Sequence, residues 1–391
     1  MRLLHLSDWH IGRVFHEYPT LGHAQMVLGA VPQLIRQHGI DVVLVAGDVY
    51  DVANPSAEAV KVFQQVTQDI LMAGAQVIMT SGNHDSAPRL GVIGAFSAAS
   101  GLHVLADPSA LATPVPLGDQ YGPVDVYGLP YLQPELVRGQ SWAPDDASTQ
   151  HDVIAAAMRA VRATVASQAS SGRRSVVVAH TFVAGAPDEP FAERSIMKGR
   201  AAGGIDAVPP EVFDGVDYVA LGHIHTGARL TPNMAYSGAV LHHSFKEAGQ
   251  PRGGWLVDLG PKGVQTIEWI DLPVPRQLTQ IEGRLENLLG DPAWQPFSDH
   301  FIRAVYTDKL RQAEPMQKLK ARFPWCAEVV HQPVGAVPQS PAYYRDRVKG
   351  KSDRDVIGSF LADVRDGDGA SVDEARIISE VIAEVETGAT R

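Results

Sequence analysis

Through the first two-thirds of the chain, short apolar runs rich in Val, Ile and Leu recur, and each stops abruptly at a polar cluster. Runs of this length and composition read as buried strands. They cover residues 1–6, 41–46, 75–80, 175–179, 217–221 and, less sharply, 255–259, with 124–129 as a further strand. Helical periodicity falls between the early ones. Asn54 suits an N-cap and Pro55 a first turn, Val60, Phe63, Val66 and Ile70 form one apolar stripe, and Gly74 suits the stop. Residues 21–38 are also helical in pattern, with Pro32 either kinking the helix or marking its true start, and another helix runs over 149–169. Strands alternating with helices predict an α/β fold on a largely parallel sheet.

Beyond Asp271 the texture changes, and Pro273-Val274-Pro275 reads as a hinge. The expected domains are 1–272, a smaller α+β part over 273–340, and a helical segment over 341–391. The middle part holds a strand at 301–306 and a helix at 313–322 carrying Lys318, Lys320 and Arg322, followed by a linker at 333–341. The last segment reads as two helices joined around Gly367-Asp368-Gly369. Their apolar faces, Val356, Phe360 and Leu361, then Ile377, Ile378, Val381 and Ile382, require a surface to dock on.

Composition narrows the chemistry. A chain of 391 residues, 45% of them apolar, can bury a large core. Its single cysteine, Cys326, excludes an internal disulfide and a thiolate cage for zinc, so a bound metal would use His, Asp and Asn. A net charge of −11 argues against holding nucleic acid by bulk electrostatics. No apolar run approaches the roughly 18 residues of a membrane span, and no signal-peptide pattern opens the chain, so a cytoplasmic address with no membrane contact is expected.

Five polar clusters stand where strand runs stop. They are Asp8-Trp9-His10, Gly47-Asp48-Val49-Tyr50-Asp51, Gly82-Asn83-His84-Asp85, His180, and Gly222-His223-Ile224-His225. In open α/β sheets the strand ends along one edge surround the active-site crevice, so residues distant in sequence converge there. Asp8 and His10, one residue apart, would leave the same face of an extended stretch, and His223 and His225 share that spacing. Glycines 47, 82 and 222 permit sharp turns and close approach. A carboxylate such as Asp48 offers about four lone-pair sites and can bridge two cations. The isolated histidines His5, His23, His103 and His300 are read as ordinary surface or core residues.

This order of motifs resembles the calcineurin-like metallophosphoesterase superfamily. Within it, residues 6–12 (Leu-Ser-Asp-Trp-His-Ile-Gly), 82–86 (Gly-Asn-His-Asp-Ser) and 220–225 (Ala-Leu-Gly-His-Ile-His) are similar to the SbcD nuclease family, as are Tyr236-Ser237-Gly238 and Ser244-Phe245-Lys246-Glu247. The resemblance is strong to about residue 250 and weaker beyond. It implies two packed mixed sheets flanked by helices, with a smaller capping domain and C-terminal helices. It also implies a ligand set: Asp8, His10 and His225 on one ion, Asn83, His180 and His223 on the second, and Asp48 bridging. Family precedent favours Mn²⁺, although the ligand types also suit Fe²⁺ or Zn²⁺.

On that resemblance the chemistry is hydrolysis of DNA phosphodiesters by a hydroxide activated between two ions. His84 would stabilise the transition state or protonate the departing oxygen, and Asp51 would orient it. The implied partners are DNA and an SbcC-type coiled-coil ATPase docked on the terminal helices, within a heterotetramer built on a homodimer. Two other readings share the same residues: a phosphatase or phosphodiesterase of small substrates, and a metal-free scaffold, which the complete ligand set argues against.

Overall fold

The structure is a computed structural model that describes residues 1–168, 172–187, 207–334, 348–365 and 369–388. It divides into two compact units, Met1–Gln277 and Leu278–Arg391, so the segments expected at 273–340 and 341–391 fall almost wholly in the second unit.

The first unit contains two six-stranded mixed sheets. In the first sheet, β1 (Arg2–Leu6), β2 (Val42–Ala46), β3 (Gln76–Thr80) and β4 (Leu102–Leu105) are parallel neighbours. The second sheet is built on β5 (Val115–Asp119), β6 (Gly122–Leu129), β7 (Arg174–His180), β8 (Tyr218–Gly222), β9 (Ala228–Thr231) and β10 (Met234–Tyr236). In it β6, β7, β8 and β10 run parallel, while β5 and β9 close the edges antiparallel. The chain then returns to the first sheet with β11 (Gly253–Gly260), antiparallel to β1, and β12 (Gly263–Asp271) outside it.

Alternation along each strand sorts side chains into three layers. Leu3, Leu44 and Ile78 of the first sheet meet Val126, Val178 and Ala220 of the second. On the outer face of the first sheet, Leu4, Val43, Val45 and Val77 pack on helices through Val27, Phe63, Val66 and Ile70. On the outer face of the second, Tyr127, Val177 and Val219 pack against Ile154, Ala157 and Val161 of the helix Gln150–Ser167. The result is a helix–sheet–sheet–helix sandwich, as the resemblance implies and unlike the single, mainly parallel sheet that periodicity alone suggests. Antiparallel strands, β5 and β9 in the second sheet and β11 in the first, make both sheets mixed.

Local signals account for the helix boundaries, with two corrections. The segment at 21–38 is two helices, Leu21–Leu28 and Val31–His38, with Pro32 in the first turn of the second. The next helix, Ala57–Met72, begins later than Asn54 implies: Ser56 is its N-cap, and its side chain accepts from the Ala59 N–H. Asn54 instead accepts a bond from Arg89. Val60 is correspondingly exposed, and Val62 takes its place on the buried face.

The second unit holds a parallel three-stranded sheet, Leu278–Gly283, Phe301–Tyr306 and Cys326–His331, packed on the short helices Leu285–Gly290 and Pro315–Arg322 through Ile281, Leu288, Ile302, Leu319 and Phe323. Two further helices follow, Asp353–Val364 and Val372–Gly388, and Arg365 pairs with Glu374 at 2.7 Å between them. Most of the expected linker and the Gly367-Asp368 part of the helix junction lie outside the described residues. Among the described residues, no helix is long and apolar enough to cross a membrane.

Candidate metal centre

Strands β1, β2, β3, β7 and β8 all deliver their carboxyl ends to one edge of the sandwich, and each is followed at once by one of the five polar clusters. The loops lock to one another through the main chain. Asp8 N–H donates to the Gly47 carbonyl, His10 N–H to that of Asp48 and Ile11 N–H to that of Val49, each at 3.0 Å. Asp85 ties the third loop to the second, accepting from Gly82, Val49 and Tyr50 N–H at 2.9–3.0 Å. Burial first, and the nearby Asp48 second, push the Asp85 carboxyl above its ordinary range.

The seven expected ligands meet in one pocket. Asp48 Oδ2 lies 3.5 Å from His10 Nε2 and 3.5 Å from His180 Nε2. His10 Nε2 lies 3.2 Å from His225 Nε2. Asn83 Oδ1 lies 2.9 Å from His180 Nε2 and 3.0 Å from His223 Nδ1. The Asp8 carboxylate accepts the His223 N–H at 3.2 Å and a bond from Ser7. Asp8, His10, Asp48, His180, His223 and His225 are all buried.

This donor set fits divalent cations. Two ligands each about 2.1 Å from one ion, at angles near tetrahedral or octahedral, stand about 3.0–3.5 Å apart. The observed separations cluster there, with Asp48 between two imidazole groups. Asp48 Oδ2 is buried and makes no hydrogen bond to a protein group, a state that is costly for a carboxylate left uncompensated. Burial works against its charge, but His180 first, then His10 and His84, hold its carboxyl well below the usual range. The reciprocal effect on His180 opposes its own burial and raises its imidazole to about 10, so the pocket already favours positive charge beside Asp48. Buried trios able to hold an ion include Asp8, Asp48 and His180.

The backbone explains the glycines. A Cβ on Gly82 would meet Asp48 Oδ1 at 2.0 Å, one on Gly47 the His180 ring at 2.3 Å, and one on Gly222 the Ala46 carbonyl at 1.8 Å. Asp8, His10, Asp48 and His223 have φ of 49°, 42°, 49° and 99°. Asp8 and His10 therefore share a pocket through left-handed turns rather than through the extended stretch their spacing suggests. Such conformations cost of order 1–3 kcal/mol each and concentrate at functional sites.

His84 stands beside the cluster. Its N–H donates to Asp48 Oδ1 at 2.9 Å, and its ring meets that of His10 edge-on at 4.8 Å. Its Nδ1 lies 2.8 Å from the main-chain carbonyl of Asp51. The Asp51 carboxylate is directed to Arg13, at 2.8 Å, and to His10 Nδ1, at 3.3 Å. Asp51 thus reaches His84 through its backbone and a proposed ligand, His10, through its side chain.

Asp85, Arg13 and His243 carry no role in the sequence reading. His243 contacts His225, and His10, His225 and His243 form another trio within ligating distance. The available signal was the pair His242-His243, adjoining the Ser244–Glu247 motif and 18 residues beyond His225. Of the isolated histidines, His5 is a satisfied core residue, with its ring nitrogens 2.9 Å from the Tyr218 hydroxyl and 3.1 Å from the Leu221 carbonyl.

Residues 1–227 match the calcineurin-like phosphoesterase family, and the chain belongs to it. The family hydrolyses phosphate esters with divalent metals, and the chain is accordingly of hydrolase type. The narrower resemblance is also borne out: the chain is 28% identical over 327 residues to the D subunit of the SbcCD nuclease of Staphylococcus saprophyticus, covering 83% of each protein. Among solved structures it is similar to TT1561 of Thermus thermophilus (TM-score 0.39, 12% identity, 69% of this chain and 98% of that one). It is also similar to a dimetal phosphatase from Danio rerio (TM-score 0.41, 12% identity, 70% and 99%).

Proposed function

We propose that this chain is a Mn²⁺-dependent DNA exo- and endonuclease, the nuclease component of an SbcCD-type repair complex of the cytoplasm. The observation that carries the chemistry is Asp48, whose buried Oδ2 stands 3.5 Å from both His10 and His180. In this reading Asp8, His10 and His225 hold one ion, Asn83, His180 and His223 the other, and Asp48 bridges. When bound, the pair supplies an activated water and neutralises charge on the phosphoryl oxygens. His84, held by the Asp51 carbonyl and by Asp48, stabilises the developing charge or delivers a proton to the departing oxygen. Asp51 holds His10 in orientation through its carboxylate.

The choice of DNA over a small ester rests on the similarity to a nuclease subunit over 83% of both chains, which reaches beyond the catalytic unit. Residues 273–340 would cap and guide the substrate. Residues 341–391 would dock an SbcC-type ATPase, since Phe360, Ile377 and Val381 stay at least half exposed on the two helices. That partner would supply the positive surface that a chain of net charge −11 lacks, in an assembly of two copies of each protein. The deciding test compares cleavage of linear duplex DNA with Mn²⁺, with and without the ATPase and ATP, against bis-p-nitrophenyl phosphate and cyclic nucleotides. Nicking of DNA supports the proposal, whereas turnover of the small esters alone, with no ATPase binding, overturns it.

A further inference from the structure

We infer that His243 is a positioning residue that keeps the proton of His225 on Nδ1, leaving the nitrogen that faces the proposed metal pair free to ligate. The inference rests on the metal-site reading above and concerns a residue outside its ligand set. An imidazole can ligate only through a nitrogen that carries no proton, and the bond made by its other nitrogen decides which one that is. His225 is approached from both sides. Its Nε2 lies 3.2 Å from His10 Nε2, inside the cluster, and its Nδ1 lies 3.3 Å from Nδ1 of His243. When His225 donates Nδ1–H to His243, its Nε2 lone pair is left for an ion. When the proton sits on His243 instead, His225 carries its own on Nε2 and cannot bind there.

The surroundings hold this pair in place. The Arg252 guanidinium donates to the His225 carbonyl at 2.8 Å and lies 3.3 Å from a Glu247 carboxylate oxygen, and that same oxygen accepts the His243 N–H at 3.1 Å. Both members of the ion pair are buried. One buried arginine–glutamate pair therefore grips the backbone of both histidines. The His243 ring stands edge-on to those of His10 and His225, each at 4.8 Å, which fixes its plane. Its neighbour His242 is aimed elsewhere, with Nε2 3.0 Å from the Gln250 carbonyl, and supplies a control.

The test is Mn²⁺ binding to the full chain by calorimetry, on wild type, H243L, H243Q and H242N, with thermal melting of each metal-free protein alongside. Leucine fills the space without an acceptor, whereas the glutamine amide oxygen restores one. The expected result is Mn²⁺ affinity about 10- to 100-fold weaker in H243L, the usual consequence of losing a partner behind a ligating histidine. H243Q should recover most of that affinity, and H242N should keep it. Wild-type affinity in H243L, or equal losses in H243L and H243Q, overturns the inference. Failure of the wild type to take up Mn²⁺ would instead overturn the metal-site reading beneath it.

Discussion

Replacing Gly82 with alanine isolates the bridging position proposed for Asp48, because one added carbon reaches it directly. Gly82 is not among the glycines with positive φ, so alanine meets no backbone penalty there and the effect is steric. The new Cβ would stand 2.0 Å from Asp48 Oδ1 and 2.4 Å from Asp48 N, against an ordinary contact of 3.4 Å. The carboxylate oxygen must therefore retreat by about 1.4 Å, several times the roughly 0.2 Å tolerance of a metal–ligand distance. The main-chain nitrogen cannot rotate aside, so the two loops must also part. The bond from His84 N–H to Asp48 Oδ1 at 2.9 Å goes with that movement. Overpacking of this kind costs about 1–3 kcal/mol, within what a folded protein tolerates. A displacement near 1 Å at the reacting centre costs on the order of 10²-fold in rate. The expected outcome for G82A is a folded protein by circular dichroism that has lost bound Mn²⁺ by elemental analysis. Its turnover of bis-p-nitrophenyl phosphate should fall by about 10²-fold or more. Full metal content with unchanged turnover would refute the argument that Asp48 is held for bridging by the space Gly82 leaves.

H84N should lower kcat by about 10²- to 10⁴-fold while metal content stays at the wild-type level, since His84 lies outside the proposed ligand set; loss of metal would make it a ligand. D51N keeps the carbonyl that reaches His84 but removes the carboxylate beside His10. Mn²⁺ affinity should weaken by about 10- to 100-fold with little change in kcat at saturating metal, as a metal titration of activity would show. Burial pushes His5 down to about 3, against an ordinary 6.5 and despite the Leu221 carbonyl. Between those values the unfolded chain takes up a proton that the folded one refuses. The stabilisation is thus whole above pH 6.5 and shrinks as pH falls, by about 1.4 kcal/mol per pH unit from this group. H5Q should flatten the decline of Tm between pH 6.5 and 5, and an unaltered slope would acquit His5.

The central strands were legible because each is a short apolar run buried along nearly its whole length, as in β2 and β7, whereas the partly exposed edge strands β5 and β9 carry no such run and were not. The parallel core and the convergence of Asp8, Asp48, Asn83, His180 and His223 followed from strand ends sharing one edge. The antiparallel partnership of β1 with β11 was not legible in periodicity, because pairing Arg2 with Asp258 depends on contacts more than 250 residues apart. The left-handed turns at Asp8 and His10 were hidden for a related reason: spacing gives separation along the chain, whereas the turns are imposed by bonds to the Gly47 and Asp48 carbonyls. The detour of Asp51 toward His10 was equally out of reach, since it depends on Arg13 lying across the loop. Asn54 lost the helix cap to Ser56 because both are good caps and only tertiary contacts choose between them.

The pairing of β1 with β11 has a consequence for how the protein comes into being on the ribosome. Asp8 and His10 directly follow β1, yet that strand is flanked on one side by β11, residues Gly253–Gly260, which are made more than 240 residues later. Until that segment emerges, the growing chain carries an open strand edge of the kind that recruits foreign strands. Synthesis at about 5–20 residues per second keeps the edge bare for roughly ten seconds or more, a vulnerable interval for a nascent chain. A fragment stopped at residue 227, where the family match ends, would keep that bare edge permanently.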